Sequence, residues 1–309
     1  MVMIKNNSRR KIRDRIKHTF TTTNVLFIVA FVFLALFVSL FLYLLYWGFI
    51  TSFKDNYSDF IRNVLGLPKK WKFSNYAESF KAIKVRIASG GGVRYALFPE
   101  LLLNSVLYSV GGALVLVCSA CFTAYCVAKF DKCKFSKILY TFNIVTMILP
   151  IVGSGPSTLQ IMRELHIYDT IIGFWITKAH FMGLNFLLFH AAFTKMAKEY
   201  SEAAELDGAS NFGVFFRIVL PLIGGIFLTI FLIEFVAIWN DYQTPLVYMP
   251  THPPLSTGVF EFNRSSRNAT AGTPHKIAGC MILFLPIFVI FLIFHGRLMN
   301  NLSMGGIKE

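Results

Sequence analysis

Charged residues are scarce in this chain of 309 residues. They make up 15% of it, whereas average soluble domains carry about 25%. Hydrophobic residues make up 55%, and the mean hydropathy is +0.58. A soluble globule of this size could not bury so much apolar surface, and the exposed remainder would form a large patch. The composition therefore excludes an ordinary soluble enzyme and a disordered tail, and it indicates an integral membrane protein.

Acidic residues are scarcer than basic ones, with 16 Asp and Glu against 30 Lys and Arg and a net charge of +14. A basic excess can indicate nucleic-acid binding. Here, however, many Lys and Arg residues flank apolar runs, which is where membrane proteins keep them. We therefore expect contact with a lipid bilayer and no nucleic-acid partner.

Cysteine is also rare, and the count of five is odd, which argues against a disulfide framework. Cys118 and Cys121 have the C-x-x-C spacing of a redox or metal pair. Their neighbours are Leu, Val, Phe and Ala, and no histidine stands nearby. This environment favours packing as small apolar residues, and we expect no metal site.

Six long stretches have little or no charge, and each is near the roughly 20 apolar residues that cross about 30 Å of hydrocarbon. They are 25–53, 100–129, 138–155, 170–194, 222–247 and 277–296. The pattern predicts an all-α integral membrane protein with six transmembrane helices. The predicted organisation is a basic tail at 1–24, a six-helix transmembrane domain at 25–296 and a C-terminal tail at 297–309.

Basic residues predict the orientation. They concentrate in the N-terminal tail and in the short loop 129–137, and short basic loops face the cytoplasm. Loop 54–99 is equally basic, but long loops cross the membrane largely regardless of charge. Since six spans place both ends on one side, we expect both termini to be cytoplasmic and loops 54–99, 156–169 and 248–275 to face outward.

The predicted cytoplasmic loop 195–221 contains a helix–turn–helix pattern. Strong helix formers precede Asp207-Gly208, a turn signal, and Ser210 or Asn211 can cap a second helix. In that helix an apolar stripe recurs at helical spacing, and Pro221 ends it. The stripe consists of Phe212, Phe215, Phe216 and Val219. Two interpretations remain open, a docking element for a partner and an amphipathic connector lying on the bilayer.

An ATP-binding signature is absent. The sequence has no G-x-x-x-x-G-K-[ST] and no Gly-Lys pair, so it cannot hold ATP phosphates by that route. We expect the chain not to be an enzyme, and energy to enter from a partner.

Several motifs together resemble one family. The run Glu202-Ala203-Ala204-x-x-Asp207-Gly208-Ala209, followed by Leu220-Pro221, is similar to the EAA loop of ATP-binding-cassette importer permeases. Trp239-Asn240-Asp241-Tyr242-x-x-Pro245-Leu246 resembles a motif of carbohydrate-uptake permeases of the maltose type. The resemblance spans roughly residues 25–309.

The resemblance implies a type I importer permease fold, in a bacterial inner or plasma membrane. It implies a second permease subunit, a cytoplasmic ATPase dimer that holds ATP and Mg, and an extracytoplasmic sugar-binding protein, with no cofactor on this chain. In this interpretation the loop 195–221 couples to the ATPase. The coupling residues are Glu202, Ala203, Ala204, Asp207, Gly208 and Ala209.

A substrate path is predicted in the fourth and fifth spans. Aromatic rings can stack on sugar faces and amides can bond hydroxyls, although interfacial Trp and Tyr are also typical of membrane proteins. The predicted path residues are Trp239, Asn240, Asp241, Tyr242, Lys178 and Glu234. Helix rise places Lys178 and Glu234 at similar depth, so we expect them to approach each other or to line the path together. Snorkelling of Lys178 to the headgroups is the alternative.

Two other functions fit the sequence less well. An ion-coupled secondary transporter could use Lys178 and Glu234 as charge carriers. A membrane-embedded enzyme would need clustered His, Asp or Glu. The seven histidines are scattered, and neither H-E-x-x-H nor G-x-S-x-G occurs.

Overall fold

The longest charge-free stretches form the longest helices. The computed structural model describes residues 2–89, 92–149, 153–196, 208–264 and 272–304. Three of its helices are long and apolar enough to cross a membrane: α1 (Val2–Ser52), α4 (Phe98–Lys129) and α13 (Gly272–Met304). Their apolar portions are Asn24–Ser52, Phe98–Lys129 and Gly272–Gly296. A fourth candidate is a bent pair, α9 (Asn211–Leu222) and α10 (Gly224–Asn240), with 76° between them.

The predicted third and fourth spans are shorter or interrupted. Helix α5 (Lys134–Ile148) has 15 residues, about 22 Å at the usual rise, and it ends close to residues 150–152, which lie outside the described ranges. The predicted stretch 170–194 forms two helices, α7 (Ile171–Thr177) and α8 (Leu184–Lys195). A count of charged residues does not reveal where a helix ends. The break falls between Lys178, the C-cap of α7, and Gly183, which has φ +116° and precedes α8. The all-α class is confirmed.

Short elements fill the predicted outward loops. The first loop contains α2 (Tyr57–Arg62), α3 (Ser74–Ala82) and an antiparallel hairpin, β1 (Val85–Ser89) with β2 (Gly92–Ala96). Within the described ranges this hairpin is the only sheet. The later loops contain α6 (Gly155–Glu164), α11 (Gln243–Tyr248) and α12 (Leu255–Arg264). We call the region built from 54–99 and 241–264 the hairpin end, and the opposite region around 208–222 the 208–222 end.

Helix α4 runs through both ends, and two separate cores pack along it. The hairpin-end core surrounds Leu101 and Tyr108 and includes Phe174, Phe235 and Trp239. The core of the 208–222 end surrounds Val117 and Ala124, and it includes Phe186, Phe189, Phe193, Phe215 and Ile223. Helix α10 supplies residues to both cores. A single pair of helices therefore links two separately packed regions.

Two adjacent glycines let α7 approach α4. A Cβ atom at Gly111 would lie 2.1 Å from Trp175 Cε2, and one at Gly112 would lie 2.8 Å from Phe174 Cε1. The Trp175 ring nitrogen donates to the carbonyl oxygen of Leu107, 3.1 Å away. Any larger residue at these positions would force the two helices apart, so the glycines set the position of Lys178 at the end of α7.

Candidate functional site

Asp241 is the centre of a polar cluster at the hairpin end. Its Oδ2 accepts a hydrogen bond from the Tyr108 hydroxyl at 3.0 Å and lies 3.9 Å from Lys178 Nζ. Its Oδ1 accepts the backbone N–H of Thr244 at 3.0 Å, at the start of α11. One carboxylate thus connects α4, the end of α7 and the first turn of α11.

Packing holds the partners of Asp241 in place. The Tyr108 ring is buried and stacks on Phe174 with 3.9 Å between the ring centroids. Lys178 Nζ lies 5.1 Å from the same Phe174 ring, in the geometry of a cation–π contact. The side chains of Lys178 and Asp241 are 22% and 20% exposed, so solvent screens their attraction only in part.

The backbone beside Asp241 is also tied to α12. The Ser256 hydroxyl donates to the Asp241 carbonyl oxygen at 2.9 Å, and the Thr257 hydroxyl donates to that of Tyr242 at 3.5 Å. The residues just after the fifth span are therefore fixed from both sides.

Lys178 pairs with Asp241, and no ion pair between Lys178 and Glu234 is found in the described part of the chain. Glu234 Oε1 instead accepts a hydrogen bond from Asn185 Nδ2 at 2.7 Å. The expectation that the two charges approach each other assumed a continuous fourth helix, and the break after Thr177 removes that assumption. That both charges line a path stays a prediction.

The other predicted path residues differ in exposure. Trp239 is 3% exposed, and its ring nitrogen donates to the carbonyl oxygen of Leu283 on α13 at 3.1 Å. Asn240 is exposed, and its amide donates to the Val236 carbonyl oxygen. Tyr242 is half-buried, and its ring stacks on that of Phe260 with 4.3 Å between the centroids. Trp239 therefore joins two helices within this chain, whereas Asn240 and Tyr242 have accessible surface.

The predicted coupling residues are only partly described. Glu202, Ala203, Ala204 and Asp207 lie outside the described residues. Gly208 has φ +82°, a left-handed conformation that suits a glycine turn, and the exposed Ala209 follows it.

The cap of the next helix is now identified. Ser210 accepts the backbone N–H of Gly213 with its hydroxyl at 3.2 Å, so Ser210 is the N-cap of α9. Next to it, Lys129 Nζ at the end of α4 donates to Asn211 Oδ1 at 2.6 Å. The start of α9 is therefore fixed both by its own cap and by α4.

The predicted apolar stripe on α9 is only half buried. Phe215 and Val219 are buried, whereas Phe212 and Phe216 are 65% and 58% exposed. Residues 215–219 form a π-helical turn, which changes the 3.6-residue register on which the stripe depended. The bend between α9 and α10 follows Pro221 directly, as its position predicted.

A cleft at the hairpin end was not predicted from the sequence. It has a volume of about 620 Å³ and lies between the hairpin and the segment 245–262. The signal was the alternation of exposed Lys84 and Arg86 with buried Val85 and Ile87, which is typical of a half-buried strand. The described ranges contain no group of three or more His, Cys, Asp or Glu residues arranged for a metal ion.

Comparison with known proteins decides the family. Residues 120–303 match the sequence model of the family described as "Binding-protein-dependent transport system inner membrane component". The chain belongs to this family. It is a membrane permease subunit of a transport system and not an enzyme. Permeases of this family have no cofactor of their own, and they generally work with a second permease, an ATPase and a substrate-binding protein.

Curated relatives cover most of the chain. It is 29% identical to the melibiose/raffinose/stachyose import permease protein MelC of Bacillus subtilis (strain 168), over 67% of this chain and 75% of MelC. It is 23% identical to the probable starch degradation products transport system permease protein AmyC of Thermoanaerobacterium thermosulfurigenes, over 84% of this chain and 89% of AmyC. It is also 23% identical to the arabinooligosaccharides transport system permease protein AraQ of Bacillus subtilis (strain 168), over 78% and 80% of the two chains.

A solved structure shares the fold. A chain in the crystal structure of a bacterial ABC transporter for import of the acidic polysaccharide alginate superposes with a TM-score of 0.67. The match covers 88% of this chain and 96% of that one at 21% identity. The type I permease fold that the motifs predicted is therefore confirmed.

Proposed function

We propose that this chain is one permease subunit of an ATP-driven carbohydrate importer in a bacterial cell membrane. It forms half of the translocation path and pairs with a second permease. A cytoplasmic ATPase dimer, which holds ATP and Mg, supplies the energy, and an extracytoplasmic binding protein delivers the sugar. The family match and three relatives named for import of oligosaccharides or starch products support this proposal.

The observation that carries the coupling part of the proposal is the arrangement of residues 208–222. The turn at Gly208 and the Ser210 cap set the start of α9, and Phe215 anchors the segment in the core. Phe212 and Phe216 stay exposed on the same segment. A helix that is fixed on one side and apolar on its free side suits docking into a groove of a partner. Glu202, Ala203, Ala204 and Asp207 would complete this contact with the ATPase.

The proposal also assigns an orientation. The 208–222 end faces the cytoplasm with both termini, and the hairpin end faces the extracytoplasmic side. The basic loop 129–137 adjoins the 208–222 end, which supports this orientation.

The path lies along the fourth and fifth spans. Glu234 with Asn185 and Lys178 with Asp241 provide polar groups at two levels of α10. Polar groups within a membrane are typical of a substrate pathway. Asn240 and Tyr242 add an accessible amide and an aromatic ring beside them.

The test compares two glycine variants of the same segment in the native host. Gly208→Ala places a side chain at φ +82°, which is strained for an L residue, whereas a Cβ at Gly213 would lie 3.4 Å from Ser210 Oγ, an ordinary contact. We expect Gly208→Ala and Glu202→Ala to reduce uptake of labelled raffinose, maltotriose or arabinotriose while the complex still assembles. Gly213→Ala serves as the matched control and should transport normally.

Two outcomes would contradict the proposal. One is normal uptake in both Gly208→Ala and Glu202→Ala. The other is sugar uptake by liposomes that hold this chain alone, driven by an ion gradient without ATP, since that result would indicate a secondary transporter.

A further inference from the structure

The cleft at the hairpin end has the size of a small-molecule site. Its volume of about 620 Å³ falls within the range of about 300–1,000 Å³ that is usual for ligand pockets. Buried Val85, Met249 and Phe262 form its apolar walls together with prolines of the segment 245–253. The rest of the lining is polar and includes Lys84, Arg86, Thr257 and Glu261, so the cleft offers both apolar contact and groups that could orient a ligand.

Two cations and one aromatic ring occupy one wall of the cleft. Arg86 stands directly opposite Tyr95 in the hairpin register, so both side chains lie on the same face of the sheet. Lys84 Nζ lies 4.9 Å from the centroid of the Tyr95 ring. Lys84 and Arg86 are both exposed; Lys84 directly precedes β1 and Arg86 lies within it.

These two cations have no carboxylate partner in the described part of the chain, in contrast to their charged neighbours. Arg94 Nη1 donates to both carboxylate oxygens of Glu100 at 2.9 Å. Glu261, the acidic residue of the cleft lining, lies 3.6 Å from Arg264 Nη2. Two cations and one carboxylate line the cleft, so its net charge is positive.

The opposite wall connects the cleft to the Asp241 cluster. Thr257 lines the cleft, and its hydroxyl donates to the carbonyl oxygen of Tyr242. Its neighbour Ser256 donates to the carbonyl oxygen of Asp241. A ligand in the cleft would thus contact an element that is hydrogen-bonded directly to the end of the fifth span.

We propose that this cleft is a binding subsite for an anionic saccharide, one that carries carboxylate groups. Its carboxylates pair with Lys84 and Arg86, and a sugar face stacks on Tyr95. A guanidinium binds a carboxylate in a bidentate geometry that an ammonium cannot match, so Arg86 orients the ligand and Lys84 adds charge. The inference rests on the proposed carbohydrate function and narrows it to an acidic sugar class.

The test measures saccharide binding to the purified full-length chain in lipid nanodiscs. The probes are trigalacturonate and, as the neutral reference, maltotriose, titrated by calorimetry at low and at high salt. We expect trigalacturonate to bind more tightly than maltotriose, and salt to weaken its binding. In the double variant Lys84→Gln/Arg86→Gln the affinity for trigalacturonate should fall by about tenfold or more, because both cationic partners of its carboxylates are removed.

The matched control removes the same charge outside the cleft. Lys69 and Lys70 are exposed, lie in the same loop and do not line the cleft, so Lys69→Gln/Lys70→Gln should leave the affinity unchanged. Equal binding of the two saccharides, no binding of trigalacturonate, or equal losses in both double variants would overturn the proposal. The last result would indicate a general basic surface, such as one for an acidic segment of a protein partner.

The same variants separate this inference from the proposed function. If Lys84→Gln/Arg86→Gln leaves the affinity for trigalacturonate unchanged while cells still import a neutral oligosaccharide through this chain, the inference fails and the proposed function stands. If no carbohydrate uptake depends on the chain, the proposed function itself fails.

Discussion

The two ends of the bundle share ring packing but differ in their long-range hydrogen bonds. At the hairpin end, polar side chains bond to backbone groups across long sequence separations. Asn75 donates to the carbonyl oxygens of Ser52 and Lys54, and Asn104 donates to that of Pro253. At the 208–222 end, ring contacts dominate. The ring centroid of Tyr125 lies 4.8 Å from that of Phe215 and 5.5 Å from that of Phe193.

This difference has a physical cause. The hairpin end consists mainly of loops and short elements, whose backbone groups need partners that a helix would supply internally. The 208–222 end consists mainly of helical segments, whose interior backbone groups pair within the helix, so apolar packing supplies most of its other contacts. The hairpin end therefore carries more long-range hydrogen bonds from side chains to the backbone than the 208–222 end.

The largest expected effect tests how far the 208–222 end depends on ring packing. Phe215 is 5% exposed, and Phe216 beside it is 58% exposed. We expect Phe215→Ala to lower the free energy of unfolding by about 3–5 kcal/mol, the usual cost of emptying a buried aromatic site. Phe216→Ala is the matched control and should cost about 1 kcal/mol or less. Thermal unfolding of the purified chain in detergent gives both values, and equal losses would show that Phe215 anchors nothing.

The second prediction tests the polar ties of the hairpin end. Asp241→Ala leaves the Tyr108 hydroxyl and Lys178 without their carboxylate. We expect a loss of about 2–3 kcal/mol, less than for a fully buried pair because both charges are one-fifth exposed. Asp241→Asn keeps one side-chain oxygen, which can accept from Tyr108 or from the Thr244 N–H, and should lose less. If the two variants lose the same stability in thermal unfolding, the hydrogen bonds do not contribute and only the charge matters.

Sequence reasoning succeeded where the signal is local. Three of the predicted spans form helices long enough to cross a membrane, because apolar length needs no distant partner. The Ser210 cap and the bend after Pro221 also follow from their nearest neighbours.

It failed where the partner lies far along the chain. The carboxylate beside Lys178 belongs to Asp241 rather than Glu234, since the break in the fourth span changes which residues meet. The sequence did not indicate which residues of the stripe on α9 are buried, because no residue in 215–219 signals the π turn that shifts the register there. The hairpin did leave a signal in the sequence: charged and apolar residues alternate at 84–87, and a glycine run follows at 90–92. Five-residue strands are, however, too short for this alternation to predict a strand by itself.

The third prediction tests the helix contact that positions Lys178. In Gly111→Ala the new methyl group would meet the Trp175 ring at 2.1 Å. We expect a loss of about 1–3 kcal/mol, the usual cost of overpacking. Gly224, at the start of α10, has no neighbour within 4 Å of its Cβ position, so Gly224→Ala should change stability little. Similar losses for both variants in thermal unfolding would show that α7 moves away from α4 at no cost.

The smallest effect concerns pH and separates the two ends chemically. At the hairpin end, Glu78 Oε2 lies 2.6 Å from His275 Nε2, and the hydrogen bond with His275, followed by that with Ser74, lowers the pKa of Glu78. The folded state binds a proton on Glu78 less tightly than the unfolded state does. The free energy of unfolding therefore begins to fall when the pH drops below the ordinary glutamate pKa of about 4.3, and it continues to fall until the pH has passed the lowered pKa. Glu78 is half exposed, so the contribution is at most about 1 kcal/mol.

The variant Glu78→Gln measures this contribution. We expect its melting temperature to lie below that of the wild type at pH 6 and to converge with it as the pH falls below about 4. Glu164→Gln removes an exposed glutamate that has no ion pair in the described part of the chain, and it should follow the wild type at every pH. A constant gap between Glu78→Gln and the wild type down to pH 3 would mean that the pair with His275 acts through its shape and not through its charge. The acid sensitivity would then no longer distinguish the hairpin end from the 208–222 end, where the described histidines form no ion pair with a carboxylate.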